Sequence, residues 1–258
     1  MQGVPFERAE ALVRSYFETV IMGYLACDIR TLLNSELDDK EQGGCSAPLA
    51  MSVFAGMNQL GYLTSSKNSD EIVKTVQTEQ CIKEFCKEWM QRIDPENYRK
   101  STVQEIMVNF FRHGMAHQFI SISLSAITRA PSQSTLLSVR IDRDGSKLYV
   151  LQVKILAQDF LKALDLIEKK LGKAKENDPQ FILRFYERWD SQREKILQSN
   201  KDLFKKADRN ITTDSDELIN GSIKTLTSTT TTAPMSGEVS MTIDGSYCFT
   251  NRYVDDKE

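Results

Sequence analysis

Helical periodicity dominates the first 110 residues and limits the possible folds more than any other feature of the chain. Apolar residues recur at intervals of three and four through residues 6–34, and Pro5 stands at the start, where its missing N–H is harmless. Residues 46–63 form a second apolar helix that is wide enough to be buried. The apolar stripe predicted for the first helix consists of Leu12, Tyr16, Val20, Tyr24 and Cys27, broadened by Phe17, Ile21 and Ile29.

Two more helices are predicted before residue 112. The third covers Thr78 to Ile93 and is expected to stop at Pro95, because proline breaks a helix. The fourth is capped by Ser101 or Thr102, with Glu105 in the position of a capping box. Its predicted core line is Val103, Ile106, Met107 and Phe110. Four helices with short connections predict an antiparallel bundle.

The periodicity changes to that of strands after residue 135. Residues 136–141 and 148–153 have strand length and flank a glycine turn at Gly145, which predicts a β-hairpin. Residues 156–172 return to helical spacing. A further helix is predicted from Asp178–Pro179 to about Ala207. Its partly heptad-like apolar positions fit two arrangements, pairing with another chain or packing on its own bundle.

The composition shifts from residue 209 onward. Residues 225–234 are a low-complexity segment rich in threonine, and residues 238–249 are compatible with a small hairpin around Asp244–Gly245. The predicted fold is therefore mainly α, with an appended β-hairpin and C-terminal helices. We expect a helical bundle over residues 1–125, the hairpin and two helices packed on it over residues 126–208, and a Thr/Ser-rich tail over residues 209–258.

Charge and cysteine content exclude several classes of protein. The net charge of −3 and the pI of about 5.6 leave no general basic field, so any RNA must bind at a local patch. The five cysteines form no Cys-x-x-Cys pair, which favours reduced thiols in a cytoplasmic protein. The N-terminus has charges where a signal peptide needs an apolar core, and no segment is apolar enough for a membrane helix.

Acid–base chemistry is concentrated in one short stretch. Both histidines of the chain, His113 and His117, lie within the five residues that follow Arg112. Histidine exchanges a proton near neutral pH, and the planar arginine cation is suited to phosphate, so the three together fit phosphodiester cleavage. Two histidines four residues apart also resemble a zinc clamp, yet no glutamate lies between them and the spacing of the other residues offers no third ligand. We predict neither a metal nor another cofactor.

The motif Arg112, a polar residue, three further residues and His117 resembles the motif of the HEPN superfamily. The similarity extends over residues 6 to about 125. It implies a HEPN-like bundle and a metal-independent ribonuclease of a defence or toxin type, which cleaves RNA by attack of the 2′-OH on phosphate. It also implies Arg112 and His117 as the catalytic pair with His113 in support, a homodimer with a composite site, and an antitoxin as a further partner.

Two alternatives stay open at this point. Arg112 and His117 lie about 140° apart around an ideal α-helix, so either the helix ends near Gly114 or an arginine of a partner chain completes the site. The other alternative removes catalysis altogether. His117 falls close to the stripe of Val103 and Met107, where a histidine commonly has a structural role, and the protein would then be a non-catalytic helical binding module that retains the motif for packing.

Overall fold

The computed structural model is mainly helical, as predicted, and contains a small sheet. It describes residues 4–35, 45–67, 78–112, 125–130, 133–141, 145–201, 238–241 and 247–250. The chain divides into two compact units, Met1–Trp189 and Asp190–Glu258. In the described ranges, every helix is too short or too polar to cross a membrane.

Eight α-helices and five strands are assigned in the described ranges. The α-helices are α1 (Phe6–Tyr16), α2 (Ala26–Asn34), α3 (Ser46–Thr64), α4 (Thr78–Glu88), α5 (Pro95–Tyr98), α6 (Ser101–Ile106), α7 (Val153–Asn177) and α8 (Pro179–Ser199). The segments Phe17–Leu25 and Met107–Arg112 are π-helical, and Met90–Arg92 is a 3₁₀ turn. The strands are β1 (Ser125–Thr128), β2 (Leu137–Ile141), β3 (Lys147–Gln152), β4 (Glu238–Met241) and β5 (Tyr247–Thr250).

The helix predicted over residues 6–34 is present. Its predicted apolar stripe is confirmed for Phe17, Ile21 and Ile29 but is wrong for Tyr24 and Cys27. Tyr24 is 45% exposed and Cys27 is also exposed. The side chains that enter the core are Ala9, Val13, Phe17, Ile21, Ala26 and Ile29. The π-helical turn explains this, because the N–H of Ala26 donates to the carbonyl of Ile21 and the wider turn aligns residues five apart.

Helix α3 lies at the centre of the first unit and packs against α2, α4 and α7. Its close contact with α4 depends on Gly61, where an added Cβ would overlap the carbonyl oxygen of Cys81. Gly56 plays the same part toward α7, because a Cβ there would lie 2.5 Å from the ring of Phe160. Small residues thus let the three helices approach each other across the core.

The region around Pro95 differs from the prediction. Helix α4 ends at Glu88, and Pro95 begins α5 instead of ending a helix, because the carboxylate of Asp94 accepts the N–H of Asn97 at 3.1 Å. The predicted capping box is also wrong. Lys100 occupies the N-cap position of α6, and no side chain caps that end.

The predicted hairpin is confirmed, and the structure adds a third strand. Strands β2 and β3 pair antiparallel, and Gly145 in the connection has a φ of +85°, a conformation that favours glycine. Strand β1 pairs with β3 in parallel, which gives the strand order β1-β3-β2. In the second unit, β4 and β5 form an antiparallel pair, so the small hairpin near residue 244 is present as well.

Helix α7 follows the predicted spacing as far as Leu171, and α8 follows it in its first turns. All four positions predicted to face the core from α7 are buried, namely Phe160, Leu164, Ile167 and Leu171. The carboxylate of Asp178 accepts the N–H of Phe181 at 3.2 Å and so caps α8. Ile182 and Phe185 of α8 are buried, whereas Ile196 is 59% exposed. The predicted continuation of this helix to Ala207 runs beyond residue 201, the last described residue of that range.

The C-terminal end of α3 is buried, and Arg188 of α8 satisfies its carbonyl groups. Arg188 is 1% exposed, and its guanidinium donates to the carbonyls of Tyr62 at 2.9 Å, of Ser65 at 2.7 Å and of Lys67. The indole N–H of Trp89 donates to the hydroxyl of Thr64 at 2.7 Å in the same place. Burial lowers the pKa of Arg188, yet a guanidinium stays protonated in proteins. A charged side chain therefore joins α8 to the end of α3.

Gly61→Ala tests the close contact between α3 and α4. We expect the free energy of unfolding to fall by about 3 kcal/mol, because the new methyl group meets backbone atoms that cannot move aside easily. Gly172→Ala in α7 is the matched control, since nothing lies near its Cβ position. That change should stabilise the protein by about 0.5–1 kcal/mol. Urea unfolding measures both, and equal values for the two variants would contradict the packing described here.

Arg188→Met tests the buried cap. The variant keeps most of the buried volume but leaves the carbonyls of Tyr62 and Ser65 without their donor, so we expect a loss of about 3 kcal/mol in urea unfolding. The free energy of unfolding of Arg188→Lys should lie between those of Arg188→Met and wild type, because one ammonium group cannot reach all these carbonyls. Lys195→Met, an exposed change in the same helix, should stay within about 0.5 kcal/mol of wild type. A loss in Arg188→Met no larger than this control would overturn the assignment.

Candidate functional site

The predicted catalytic residues fall at the edge of the described structure. Arg112 is the last residue of the π-helical segment and is half-buried. His113 and His117 lie in residues 113–124, outside the described residues, and the geometry of the three together stays a prediction. The structure therefore defines the two ends of the segment that contains the motif.

The N-terminal end of this segment is held by packing. Met107, Val108 and Phe111 are fully buried, while Val103 and Ile106 are partly buried against the same core. The predicted core line is thus confirmed for Val103, Ile106 and Met107, but it misses Val108 and Phe111. The π-helical winding shifts the inward positions along the chain, and a pattern based on 3.6 residues per turn cannot show this shift.

The angle between the side chains of Arg112 and His117 depends on how the chain winds after Arg112. Their separation of about 140° holds for an ideal α-helix. The six residues that end at Arg112 are π-helical, and in such a turn hydrogen bonds join residues five apart. Five residues is also the spacing of Arg112 and His117 in the sequence. Because residues 113–117 lie outside the described residues, the expected separation of Arg112 and His117 stays a prediction.

The C-terminal end of the segment is held by a strand and an arginine. Strand β1 pairs with β3 from Ser125 to Thr128, and Arg129 follows at once. The guanidinium of Arg129 donates to the carbonyls of Leu32 at 3.1 Å and Leu33 at 2.7 Å, at the end of α2. A cation at the C-terminal end of a helix also interacts favourably with the negative end of the helix dipole. The guanidinium of Arg129 is therefore engaged with the end of α2.

Several of the other basic residues are also used inside the protein. Lys170 lies 3.3 Å from the carboxylate of Asp178 and 4.2 Å from the ring centre of Phe181. Arg14 pairs with Glu10 at 2.8 Å and donates to the carbonyl of Leu171 at 3.0 Å. By contrast, Lys169 and Lys173 of α7 and the hairpin residue Arg140 are exposed. Arg143, the other arginine of the hairpin, is outside the described residues.

Two cysteines of α4, Cys81 and Cys86, are buried. Burial raises the pKa of Cys86 to about 12 and also raises the pKa of Cys81. A thiol must lose its proton to bind a metal or to attack a substrate, so both positions disfavour that chemistry at neutral pH. Within the described ranges, no three side chains of histidine, cysteine, aspartate or glutamate come together as a metal site.

Comparisons with protein-family models, with curated proteins and with solved structures find no match. The motif residues and the structure at either end of them are therefore the features that indicate a function.

Arg129→Ala tests the anchor at the C-terminal end of the motif segment. We expect a loss of about 1–2 kcal/mol in the free energy of unfolding, because two carbonyls at the end of α2 lose a charged donor. The amides of β1 and of the last turn of α2 should also exchange hydrogen faster. Arg140→Ala, an exposed change on β2, should alter neither quantity. Identical exchange in the two variants would show that Arg129 does not hold this segment.

Proposed function

We propose that the protein is a metal-independent endoribonuclease in which Arg112 and His117 act on one RNA phosphodiester, with His113 in support. The observation that carries the proposal is the placement of Arg112. It ends a π-helical segment in which Met107, Val108 and Phe111 are packed in the core, and both histidines of the chain follow within five residues. Helical segments of this kind occur often at functional sites.

The chemistry assigns one task to each side chain. His117 takes the proton of the ribose 2′-OH, and the oxygen then attacks the adjacent phosphorus. Arg112 binds the phosphate and neutralises the negative charge that grows as five bonds form around phosphorus. The bond to the 5′ oxygen breaks, and His113 assists as the second acid–base group. The products are a 2′,3′-cyclic phosphate and a 5′-hydroxyl, and the reaction needs no metal.

We propose a ribonuclease of a defence or toxin type that acts in the cytoplasm. Its active form would be a homodimer, and its partner would be an antitoxin. In the proposed homodimer, the winding of the chain after Arg112 decides which chain supplies Arg112 to each site. With π-helical winding, one chain presents Arg112 and His117 on the same side. With α-helical winding beyond Arg112, the arginine of a second copy completes the site.

RNA cleavage in the presence of EDTA tests the proposal. Wild type should cleave RNA, while Arg112→Ala and His117→Ala should each be slower by at least about 100-fold. A substrate with 2′-deoxyribose at the cleavage site should not react, because it lacks the attacking oxygen. Asn109→Ala is the matched control, since Asn109 is an exposed residue of the same π-helical segment and should keep wild-type activity.

The outcomes separate the mechanisms. Cleavage that stops with EDTA, or that continues in both variants, would contradict the metal-independent site. Mixing the Arg112→Ala and His117→Ala proteins tells which chain supplies each group. Activity that returns in the mixture means a site shared between two chains, and activity that stays absent means a site within one chain.

The second candidate function is a non-catalytic helical binding module. It is favoured by the acidic pI of about 5.6 and by the internal use of Arg14, Arg129, Lys170 and Arg188, which removes cations from the surface. RNA affinity separates the two functions, because contacts with phosphate weaken steeply as salt rises. A binding module for proteins would show no salt-dependent RNA binding, no cleavage, and a loss of thermal stability in His117→Ala.

A further inference from the structure

Strand β2 lies at one edge of the three-stranded sheet and carries exposed apolar side chains. Among the described residues, β2 pairs with β3 only. Val139 is 52% exposed and Ile141 is 66% exposed, which makes them two of the most exposed large apolar residues in the described ranges. An exposed apolar edge strand is a template for pairing with another strand.

The register shows which backbone groups of β2 face the open edge. The N–H of Gln152, the last residue of β3, donates to the carbonyl of Leu136 at 2.9 Å. Leu136 and Gln152 therefore form a hydrogen-bonded pair of the antiparallel ladder. Such pairs alternate along an antiparallel ladder, so Ser138 and Arg140 also bond to β3. The backbone N–H and carbonyl groups of Leu137, Val139 and Ile141 therefore point away from the sheet.

We propose that β2 pairs antiparallel with β2 of a second copy of this chain, around a two-fold axis at Val139. In this arrangement Val139 lies opposite its own copy and Leu137 lies opposite Ile141. The backbone groups that point outward meet partners that also point outward, as a continuous ladder needs. One face of the new pair is entirely apolar, because Leu137, Val139 and Ile141 share that face.

Charge and the length of the strand favour this register over its two neighbours. A register centred on Arg140 would set two arginines directly opposite each other at the closer spacing of a non-hydrogen-bonded pair, which is unfavourable. A register centred on Ser138 would set Ile141 opposite Thr135, which precedes the strand. The register centred on Val139 sets Arg140 opposite Ser138 and pairs all five residues of the strand.

The proposed interface is small, so the dimer should dissociate on dilution. Five residues from each chain bury less than the standard interface of about 1,600 Å². The inference does not depend on the ribonuclease proposal, because it uses the edge of the sheet and none of the motif residues. Ile196 and Leu197 of α8 are also exposed apolar residues, at 59% and 45%, and represent a competing surface.

Sedimentation velocity over about a hundred-fold range of concentration tests the pairing. Wild type should pass from monomer to dimer. Val139→Lys and Val139→Glu should each weaken the dimer by at least about ten-fold, because each variant sets like charges opposite each other at the axis. An equal mixture of the two variants should dimerise again, because lysine then faces glutamate. Recovery in the mixture also shows that both variants are folded.

The other outcomes overturn the proposal. Ile196→Lys should leave the dimer intact, and loss of the dimer in that variant alone would place the contact on α8. A wild type that stays monomeric at every concentration would show that β2 does not pair with a second copy. A dimer that persists in both Val139 variants, or that does not return in their mixture, would exclude an axis at Val139.

Discussion

The contact between Arg188 and the end of α3 is the interaction on which the rest of the first unit depends. Helix α3 touches α2, α4 and α7, so its position sets the positions of the helices around it. Its last turn is buried, and the final carbonyls of a helix have no partner within the helix. Arg188 supplies a planar fork of donors on separate nitrogen atoms, whereas the donors of a lysine all diverge from one nitrogen atom. The end of the central helix can therefore be buried only because α8 reaches it.

Local signals predicted much of the fold, whereas long-range pairing was not predictable. The Asp178 cap and the turn at Gly145 are properties of a few adjacent residues, and the structure contains both. Strand β1 is four residues long and lies next to β3 only because the chain folds back, so no periodicity marks it. Arg188 resembles a surface charge in the sequence, and its burial follows from acceptors more than 120 residues away. Pro95 predicts a helix end from the sequence but begins α5 in the structure, because proline both ends and begins helices.

The candidate site was predicted from residue types, and its surroundings were not. Arginine and two histidines in six positions indicate a reaction class without any knowledge of the fold. The sequence could not tell which other cations are available to RNA. The structure shows that Arg129 caps α2 and that Lys170 pairs with Asp178, so these two add little to a phosphate-binding surface. If RNA binds here, only a few phosphates can be neutralised, and the affinity should depend less steeply on salt than that of a protein with a broad basic face.

The two π-helical segments follow from the same requirement, namely that apolar side chains five apart must both reach the core. In Phe17–Leu25, the wider turn brings Ile21 and Ala26 inward together. In Met107–Arg112, it buries Phe111 and leaves Arg112 half-buried at the end of a packed segment. A guanidinium in that position would interact more strongly with a phosphate than one in open water, because the local dielectric constant is lower. The packed side chains beside it also fix the position of its backbone, and such positioning favours a reaction. The winding that disturbs the sequence pattern is thus the feature that would make Arg112 a better phosphate ligand.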